Sequence, residues 1–217
     1  MRVVLAGATG LVGSMLAPLL ACAGYELHVV SRCAVPGAPP EARVHAAEPA
    51  AWPAIVRTIA ADAAVSTLGT TMAKAGSQRA FAAVDLDLLL AFAEAARAGG
   101  ARTMATVSSV GADAASRNFY LRIKGEADAG LDRLGFDRLD IFRPGLLRGP
   151  RGADRRLGER MAIALSPAVN ALLRGPLSRY AAIDAADIAA AISATLREKD
   201  EGRFVHENRA IRRLARL

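Results

Sequence analysis

Three kinds of side chain that together can reduce a carbonyl group occur close together in the middle of the chain. Tyr120 and Lys124 are four residues apart in a segment of helical periodicity, so the phenol and the ammonium project from one helix face. A neighbouring cation favours the phenolate and suits the phenol to acid–base catalysis. Ser108 and Ser109 end a predicted strand, and a serine hydroxyl can hydrogen-bond the carbonyl oxygen that gains charge as hydride arrives. This set supplies what carbonyl reduction needs besides a hydride-carrying cofactor.

A glycine-rich turn near the N-terminus could bind such a cofactor. Its glycines have the spacing G-x-x-G-x-x-G, between a β-branched run and an amphipathic segment. In this arrangement the backbone can approach a pyrophosphate, and the following helix presents its free N–H groups to the anion. An ordinary strand-to-helix turn is the alternative, but the flanking strand and helix favour a dinucleotide site. The predicted contacts in this turn are Gly7, Thr9, Gly10, Leu11, Val12 and Gly13.

The end of the second predicted strand indicates which dinucleotide is preferred. An NAD site usually places Asp or Glu about 20 residues beyond the glycines, where it binds the ribose 2′-hydroxyl. Here Ser31 and Arg32 occupy that place. Arg32 can pair with a 2′-phosphate and Ser31 can donate to the same group, so we expect NADP(H) in preference to NAD. A solvated surface arginine is the alternative.

Strands and helices alternate along the chain and would bring these residues together. Predicted strands begin near Arg2, Glu26, Arg43, Ala63, Arg102, Leu139 and Arg203, and predicted helices cover about residues 14–24, 52–61, 77–98, 118–134, 157–173, 185–197 and the C-terminus. Continuous apolar strands are typical of a parallel sheet covered by helices on both faces. We therefore predict an α/β, doubly wound Rossmann fold with a short C-terminal helical cap. A single domain over residues 1–217 is expected, with a cofactor-binding core over about 1–145 and a small substrate cap over about 146–217.

The order of the motifs resembles the atypical branch of the short-chain dehydrogenase/reductase superfamily, and more closely its Tat-interacting-protein-like group. The matching segments are G-A-T-G-L-V-G at 7–13, V-S-S-V-G-A at 107–112, Y-L-R-I-K-G-E at 120–126, F-R-P-G-L-L-R-G at 142–149 and I-D-A-A-D-I-A at 183–189. These segments span nearly the whole chain in the superfamily's order.

The resemblance implies a role for each residue of the set. Tyr120 would be the general acid, Lys124 would hold the nicotinamide ribose and favour the phenolate, and Ser109 would orient the carbonyl. Ser108 stays open as the alternative serine, because Ser109 lies only 11 residues before Tyr120, a shorter spacing than in typical members. Further cofactor contacts are implied for Leu68, Gly69, Thr70, Ser108, Pro144 and Gly145.

These observations predict an NADP(H)-dependent oxidoreductase that reduces a carbonyl of a small organic substrate. The alternative is an NADP(H)-binding regulatory or scaffold protein without significant turnover, because the superfamily fold does not settle activity. The resemblance also bears on substrate, since extended relatives carry a sizeable sugar-binding subdomain. Only about 70 residues follow Pro144, which disfavours a nucleotide-sugar epimerase.

The net charge of +7 raises the question of nucleic acid, whose phosphates attract clustered cations. The arginines are spread along the chain, with local concentrations only at 148–160 and 209–216, and no base-reading module accompanies them. We therefore expect no nucleic acid. The first cluster could bind an anionic substrate or face solvent, and the terminal helix is expected to pack through Ile211 and Leu214 with its arginines in solvent.

The remaining features indicate an ordinary intracellular protein. The three histidines, His28, His45 and His206, have no metal-ligand spacing, so no metal is expected. Cys22 is expected in the core and Cys33 in an exposed loop. Two cysteines and no leader pattern favour the cytoplasm, and no apolar run of about 18 residues predicts a membrane span. The sequence leaves open whether the chain forms a homodimer.

Overall fold

A computed structural model of the chain describes residues 1–149 and 179–217. Elements are numbered over these residues. The helix predicted over 157–173 lies outside them, as do Arg151, Arg155, Arg156 and Arg160 of the first arginine cluster.

The strands form one large parallel sheet and a short second pair. Their bounds are β1 Arg2–Ala6, β2 Glu26–Ser31, β3 Arg43–Ala46, β4 Ala63–Ser66, β5 Thr103–Val107, β6 Arg138–Arg143, β7 Leu147–Arg148, β8 Ile183–Asp184 and β9 Gly202–Glu207. The large sheet has the order β3-β2-β1-β4-β5-β6-β9, with every neighbouring pair parallel, and β7 pairs with β8. The strand order reverses between β1 and β4: β2 and β3 follow on one side, and β5, β6 and β9 follow on the other. A crevice therefore opens at the carboxyl ends of these two strands, where open α/β sheets bind ligands.

The helices confirm the predicted alternation with two local differences, of which the first is a four-residue helix over Met72–Ala75 in a segment predicted as loop. Their bounds are α1 Gly13–Cys22, α2 Trp52–Ile59, α3 Met72–Ala75, α4 Gln78–Ala82, α5 Leu89–Ala98, α6 Phe119–Arg133, α7 Ala185–Thr195 and α8 Asn208–Leu214. A π-helical turn, Ala83–Leu88, joins α4 to α5 inside the segment predicted as one regular helix over 77–98. Such turns are rare and occur frequently at functional sites.

Two apolar layers cover the two faces of the sheet. On one face, Val3 of β1 belongs to the same buried cluster as Leu16, Ile188 and Ile211. On the other face, the neighbouring Val4 belongs to a cluster with Trp52, Phe92 and Leu131, among others. Successive strand residues point to opposite faces, so both faces of β1 are buried. This confirms the doubly wound Rossmann fold.

The cysteines differ in part from expectation. Cys33 is exposed as predicted, but the prediction that Cys22 lies in the core is wrong, because its side chain is also exposed. The buried face of α1 is formed by Leu16, Ala17 and Leu20, and Cys22 lies off that face in the last turn.

Two of the histidines that are scattered in the sequence meet on neighbouring strands. The His28 Nδ1 atom of β2 lies 3.0 Å from the His45 Nε2 atom of β3, and Glu26 lies 3.3 Å from the other nitrogen of His28. No group of three or more His, Cys, Asp and Glu side chains among residues 1–149 and 179–217 is arranged to hold a metal ion. Over the same residues, no helix combines the length and apolar character that crossing a membrane requires.

Candidate active site

The glycine turn brings β1, α1 and the end of β4 into close contact. Gly7 has a φ of +92°, and a Cβ atom added there would lie 2.6 Å from the carbonyl carbon of Thr67. A Cβ atom on Gly13 would lie 2.2 Å from the Gly7 oxygen. That oxygen accepts hydrogen bonds from the Gly10 N–H (2.9 Å) and the Thr67 hydroxyl (3.0 Å). Only glycine leaves room for this packing.

The N-terminus of α1 is open to an anion. Val12 precedes the helix and makes no capping bond through its side chain, and the first turn contains no acidic residue. The N–H groups of Ser14 and Met15 in the first turn donate to the Gly10 oxygen (2.9 Å) and the Val12 oxygen (3.1 Å). The N–H groups of Leu11, Val12 and Gly13 have no hydrogen bond among the described residues, so these three are available to an anion such as a pyrophosphate. Thr9 is exposed in the turn and Leu11 is half-buried, whereas the Val12 side chain belongs to the core. A cofactor could therefore meet Val12 only through its backbone.

The end of β2 carries a cation and no acid. Ser31 is buried, and its Oγ accepts a long hydrogen bond from the Cys33 N–H at 3.5 Å. Arg32 is exposed and has no hydrogen bond or ion pair among the described residues. Its guanidinium is available to a ligand beside this strand end.

The loop after β4 is anchored by an aspartate that sequence reasoning did not single out. The Thr70 N–H donates to Asp85 Oδ2 at 2.9 Å, and the Leu68 N–H donates to Ser66 Oγ at 3.3 Å. A Cβ atom on Gly69 would lie 3.6 Å from Asp85 Oδ1, an ordinary contact distance. Asp85 thus holds the loop of Leu68, Gly69 and Thr70 at the carboxyl edge of the sheet.

Asp85 also pairs with Lys124 inside the protein. The Lys124 Nζ atom lies 2.7 Å from Asp85 Oδ1, and the two side chains are 7% and 0% exposed. Asp85 belongs to the π-helical turn, in which Asp87, two residues on, is exposed. Nothing in the residue types distinguishes Asp85 from the neighbouring Asp87, and the shifted face of a π turn does not follow from helical periodicity.

Tyr120 lies at the start of α6, one turn before Lys124. The Asn118 side chain caps this helix by accepting from the Leu121 N–H at 3.2 Å. The Tyr120 ring is half-buried and packs on Phe81, with 5.6 Å between ring centroids. Its hydroxyl has no hydrogen-bond partner within the described part of the chain. The ring is therefore held in place while the hydroxyl remains available.

The two serines at the end of β5 lie in different environments. Ser108 is buried, and its hydroxyl lies near the Asp128 carboxylate. Ser109 is partly exposed, and its only described hydrogen bond is a 3.3 Å bond to the Val110 carbonyl. Ser109 is therefore the more accessible of the two.

A second buried ion pair lies behind the serines. Arg143, the last residue of β6, donates to Asp128 Oδ2 from its Nε at 3.0 Å and lies 2.8 Å from the same oxygen through its second terminal nitrogen. Burial raises the pKa of Asp128, opposed by the nearby Ser108 hydroxyl, Arg143 and Lys124. This pair joins α6 to the end of β6, next to the Pro-Gly turn.

The turn of Pro144 and Gly145 is tied to both neighbouring segments. The Pro144 oxygen accepts from the Val110 N–H at 3.0 Å, which links the turn to the serine loop. The Gly145 N–H donates to Asn208 Oδ1 at 3.0 Å, and Asn208 Nδ2 donates to the Ala181 oxygen at 2.7 Å. Residues from the C-terminal helix therefore hold the turn expected beside the nicotinamide.

Arg148 is the described member of the first predicted arginine cluster. Its Nε lies 3.2 Å from Asp184 Oδ1, so β7 and β8 are joined by an ion pair as well as by their backbones. Arg148 is thus occupied by a carboxylate of the chain itself.

A known protein family matches more than half of the chain. Residues 3–121 match the family described as the NAD dependent epimerase/dehydratase family.

Curated relatives give matches of different extent. Protein HTATIP2 of Rattus norvegicus is 46% identical over 101 residues, which is 46% of this chain and 41% of the rat protein. Protein FMP52 of Candida albicans is 38% identical over 113 residues, 51% of this chain and 49% of that protein. These two matches span about half or less of each relative's length. Protein FMP52 of Coccidioides immitis is 31% identical over 206 residues, 88% of this chain and 83% of the relative.

Solved structures share the fold at low identity. MoeE5 in complex with UDP-glucose and NAD has a TM-score of 0.71 at 13% identity, covering 97% of this chain and 79% of MoeE5. The human epimerase family protein SDR39U1 with NADPH has a TM-score of 0.65 at 20% identity, covering 95% of this chain and 74% of the human one.

The expected cytoplasmic location is contradicted by the relatives. The FMP52 proteins are named as mitochondrial. The reasoning from two cysteines and the absence of a leader pattern was therefore wrong, since neither feature distinguishes the cytoplasm from other reducing compartments.

Proposed function

Because the chain belongs to the NAD dependent epimerase/dehydratase family, we propose that it is an NADP(H)-dependent oxidoreductase that reduces a carbonyl of a small organic substrate. The observation that carries the proposal is the convergence at one sheet edge of a glycine turn with no room for a Cβ atom and a tyrosine one turn from a buried lysine. Tyr120 is the proposed general acid.

The dinucleotide fits the residues at the carboxyl edge. The closely packed turn at Gly7 and Gly13 and the open N-terminus of α1 suit a pyrophosphate. Arg32 suits a 2′-phosphate, because its guanidinium has no partner among the described residues and no acid lies beside it to receive a 2′-hydroxyl. NADP(H) is therefore the proposed cofactor. Its nicotinamide supplies the hydride when bound.

Residues of the chain itself supply the proton that the carbonyl oxygen takes up during reduction. The Tyr120 hydroxyl donates its proton to the carbonyl oxygen as that oxygen gains charge. Lys124, held by Asp85 at 2.7 Å, keeps a positive charge one helical turn from the phenolate that remains. The Ser109 hydroxyl donates to the same carbonyl oxygen and orients it. Ser108 is buried near Asp128, its hydroxyl makes no hydrogen bond among the described residues, and it remains the alternative serine.

The test is an NADPH-oxidation screen over aldehydes, ketones and quinones, with Tyr120→Phe as its control. At least one substrate should be turned over, and the variant should lose about 100-fold or more in kcat while keeping its Kd for NADPH. NADPH binding without turnover of any compound would contradict the proposal. Equal rates for the variant and the wild type would contradict the role of Tyr120.

A second candidate function is a regulatory or scaffold protein that binds NADP(H) without significant turnover. The observation that favours it is the Asp85 carboxylate, which cancels part of the Lys124 charge that would otherwise stabilise a phenolate. The same screen separates the two functions, because only the enzyme consumes NADPH.

A further inference from the structure

The C-terminal helix lines a cavity that the proposed reaction does not use. Its volume is about 440 Å³, within the range typical of small-molecule sites. The residues that line it are Asn208, Arg209, Arg212, Arg213 and Arg216. The sequence predicted that these arginines face solvent while Ile211 and Leu214 pack on the body. Ile211 is fully buried and Leu214 packs against the same core, so the arginines are left on the outer face.

The four arginines form a stripe of like charge. Arg209, Arg212 and Arg213 lie on one face of α8, where like charges destabilise the helix, and Arg216 follows two residues after the helix ends at Leu214. The Arg212 guanidinium donates to the Ala182 oxygen at 2.8 Å. The other three, at 209, 213 and 216, have no ion pair or hydrogen bond within the described residues. Residues 1–149 and 179–217 therefore place no carboxylate within ion-pair distance of these three guanidinium groups.

The helix dipole does not account for the stripe. Cations are favoured in the last turn of a helix and disfavoured in the first. Arg209 is the second residue of α8, at the unfavourable end. The helix dipole therefore does not explain why Arg209 lies in the cavity wall.

None of the described residues that line the cavity is a predicted cofactor contact. The glycine turn follows β1, whereas α8 follows β9, and three strands lie between these two in the sheet. Four strand spacings of about 4.8 Å place the strands roughly 19 Å apart. Because α8 packs back onto the cluster that includes Val3, and Asn208 holds Gly145, competition between pyrophosphate and NADPH decides whether the stripe binds a different anion.

We propose that this cavity binds a phosphate-bearing ligand. A guanidinium group can donate two parallel hydrogen bonds to two oxygens of a phosphate. Four guanidinium groups beside one cavity can therefore bind several phosphate oxygens together. Asn208 forms a rigid wall of the site, since it is buried and holds both Gly145 and Ala181. The Arg212 guanidinium is oriented by its backbone bond before any ligand arrives.

Calorimetric titration with inorganic pyrophosphate tests the proposal on the full chain. The double variant Arg209→Gln/Arg213→Gln should bind at least tenfold more weakly than the wild type. The control is the double variant Arg57→Gln/Arg133→Gln, which removes the same amount of charge. Both arginines are exposed in the last turns of α2 and α6, at the amino edge of the sheet. The control should bind pyrophosphate with a Kd within twofold of the wild type. Saturating NADPH should leave the wild-type Kd unchanged.

Three results would overturn the proposal. The first is no pyrophosphate binding, and the second is an equal loss in both double variants, which would reflect net charge alone. The third is displacement of pyrophosphate by NADPH, which would assign the probe to the glycine turn. Unchanged thermal melting of each variant shows that a loss of binding is not a loss of fold.

The phosphate could belong to a lipid headgroup or to a free phosphorylated compound. Binding to vesicles of phosphatidylcholine with about a third phosphatidylglycerol, an anionic lipid, distinguishes these two sources. Vesicle binding that pyrophosphate competes away, and that the Arg209/Arg213 double variant loses, assigns the site to a lipid headgroup. Pyrophosphate binding without vesicle binding assigns it to a free phosphorylated compound. Vesicle binding that persists in the double variant would place lipid contact elsewhere and contradict the site.

Discussion

At the scale of single residues, the candidate site is a set of charges that are balanced inside the protein. Lys124 is buried beside Asp85, and Asp128, one turn further along α6, is buried beside Arg143. Removing one partner of such a pair leaves the other charge uncompensated in a poorly solvated place. Each pair can therefore be tested separately.

The ion pair of Asp85 and Lys124 predicts that removing the charge of Asp85 lowers stability, whereas removing the charge of another acid in the π-helical turn does not. Asp85→Asn keeps an oxygen that can accept from the Thr70 N–H but no longer balances the Lys124 ammonium. We expect a loss of about 3 kcal/mol in the free energy of unfolding, measured by urea denaturation. The matched control is Asp87→Asn in the same turn, whose exposed side chain should change stability by less than about 0.5 kcal/mol. Equal losses would contradict the role of the ion pair.

Asp128 predicts a pH dependence of stability. Burial raises its pKa in the folded protein, so the folded protein holds a proton there to higher pH than the unfolded chain does. The corresponding stabilisation is present below about pH 4, the ordinary value for Asp, and is lost as the pH rises through the folded-state value. The unfolding free energy of the wild type minus that of Asp128→Asn should therefore fall as the pH is raised from 3.5 to 7. A difference that rose over this range would contradict the prediction.

Arg32 carries the predicted preference for NADP(H). Arg32→Asp should weaken NADPH binding by at least tenfold, because a carboxylate would replace the group that faces the 2′-phosphate, while NADH binding should stay within about twofold. Nicotinamide fluorescence titration measures both constants. Arg133→Asp is the control, because Arg133 lies in the last turn of α6, at the opposite edge of the sheet. Equal loss for both dinucleotides would rule the preference out.

At the scale of elements, the glycine turn depends on how closely α1 approaches β1. Gly13→Ala would place its Cβ atom 2.2 Å from the Gly7 oxygen, whereas Gly10→Ala would approach the same atom only to 3.2 Å. We expect Gly13→Ala to cost about 1–3 kcal/mol of stability and to weaken NADPH binding at least tenfold, with much smaller effects for Gly10→Ala. Denaturation and fluorescence titration measure the two effects. Similar behaviour of the two variants would show that the close approach is not limiting.

Much of this scaffold could be predicted because its signals are local. A β-branched run, glycines at fixed spacing and an apolar helix each depend on a few neighbouring residues, and β3 was predicted with the bounds Arg43–Ala46 that the structure has. The predicted helix end at 98 and helix start at 118 agree with the structure, in which Gly99 follows α5 and Asn118 caps α6.

The parts that could not be predicted depend on contacts distant in sequence. The role of Asp85 requires a π-helical turn and a lysine 39 residues later in the chain. Asn208 meets Gly145 across 63 residues, and no local pattern marks that contact. Arg148 looked available for a substrate until Asp184, 36 residues on, was found beside it. The roles of Ser108 and Ser109 stay predictions, although the burial of Ser108 agrees with the choice of Ser109.

At the scale of the whole molecule, one apolar cluster joins both ends of the chain. Val3 and Leu5 of the central strand share this cluster with Ile188 of α7 and Ile211 of α8. Strand β9 also extends the sheet by pairing with β6. The described C-terminal elements therefore share a core with the glycine turn, and the single domain stays a prediction.

This continuity predicts one cooperative unfolding transition that the cofactor shifts as a whole. A ligand at 100 times its Kd adds about 2.7 kcal/mol to the stability of the state that binds it. For a chain of this length that corresponds to a rise in Tm of roughly 5–10 °C. Calorimetry should show a single peak that NADPH moves by this amount, with a smaller shift for NADH at equal concentration and for NADPH in Arg32→Asp. Two peaks, of which NADPH moves only one, would show that the C-terminal elements unfold independently of the cofactor site.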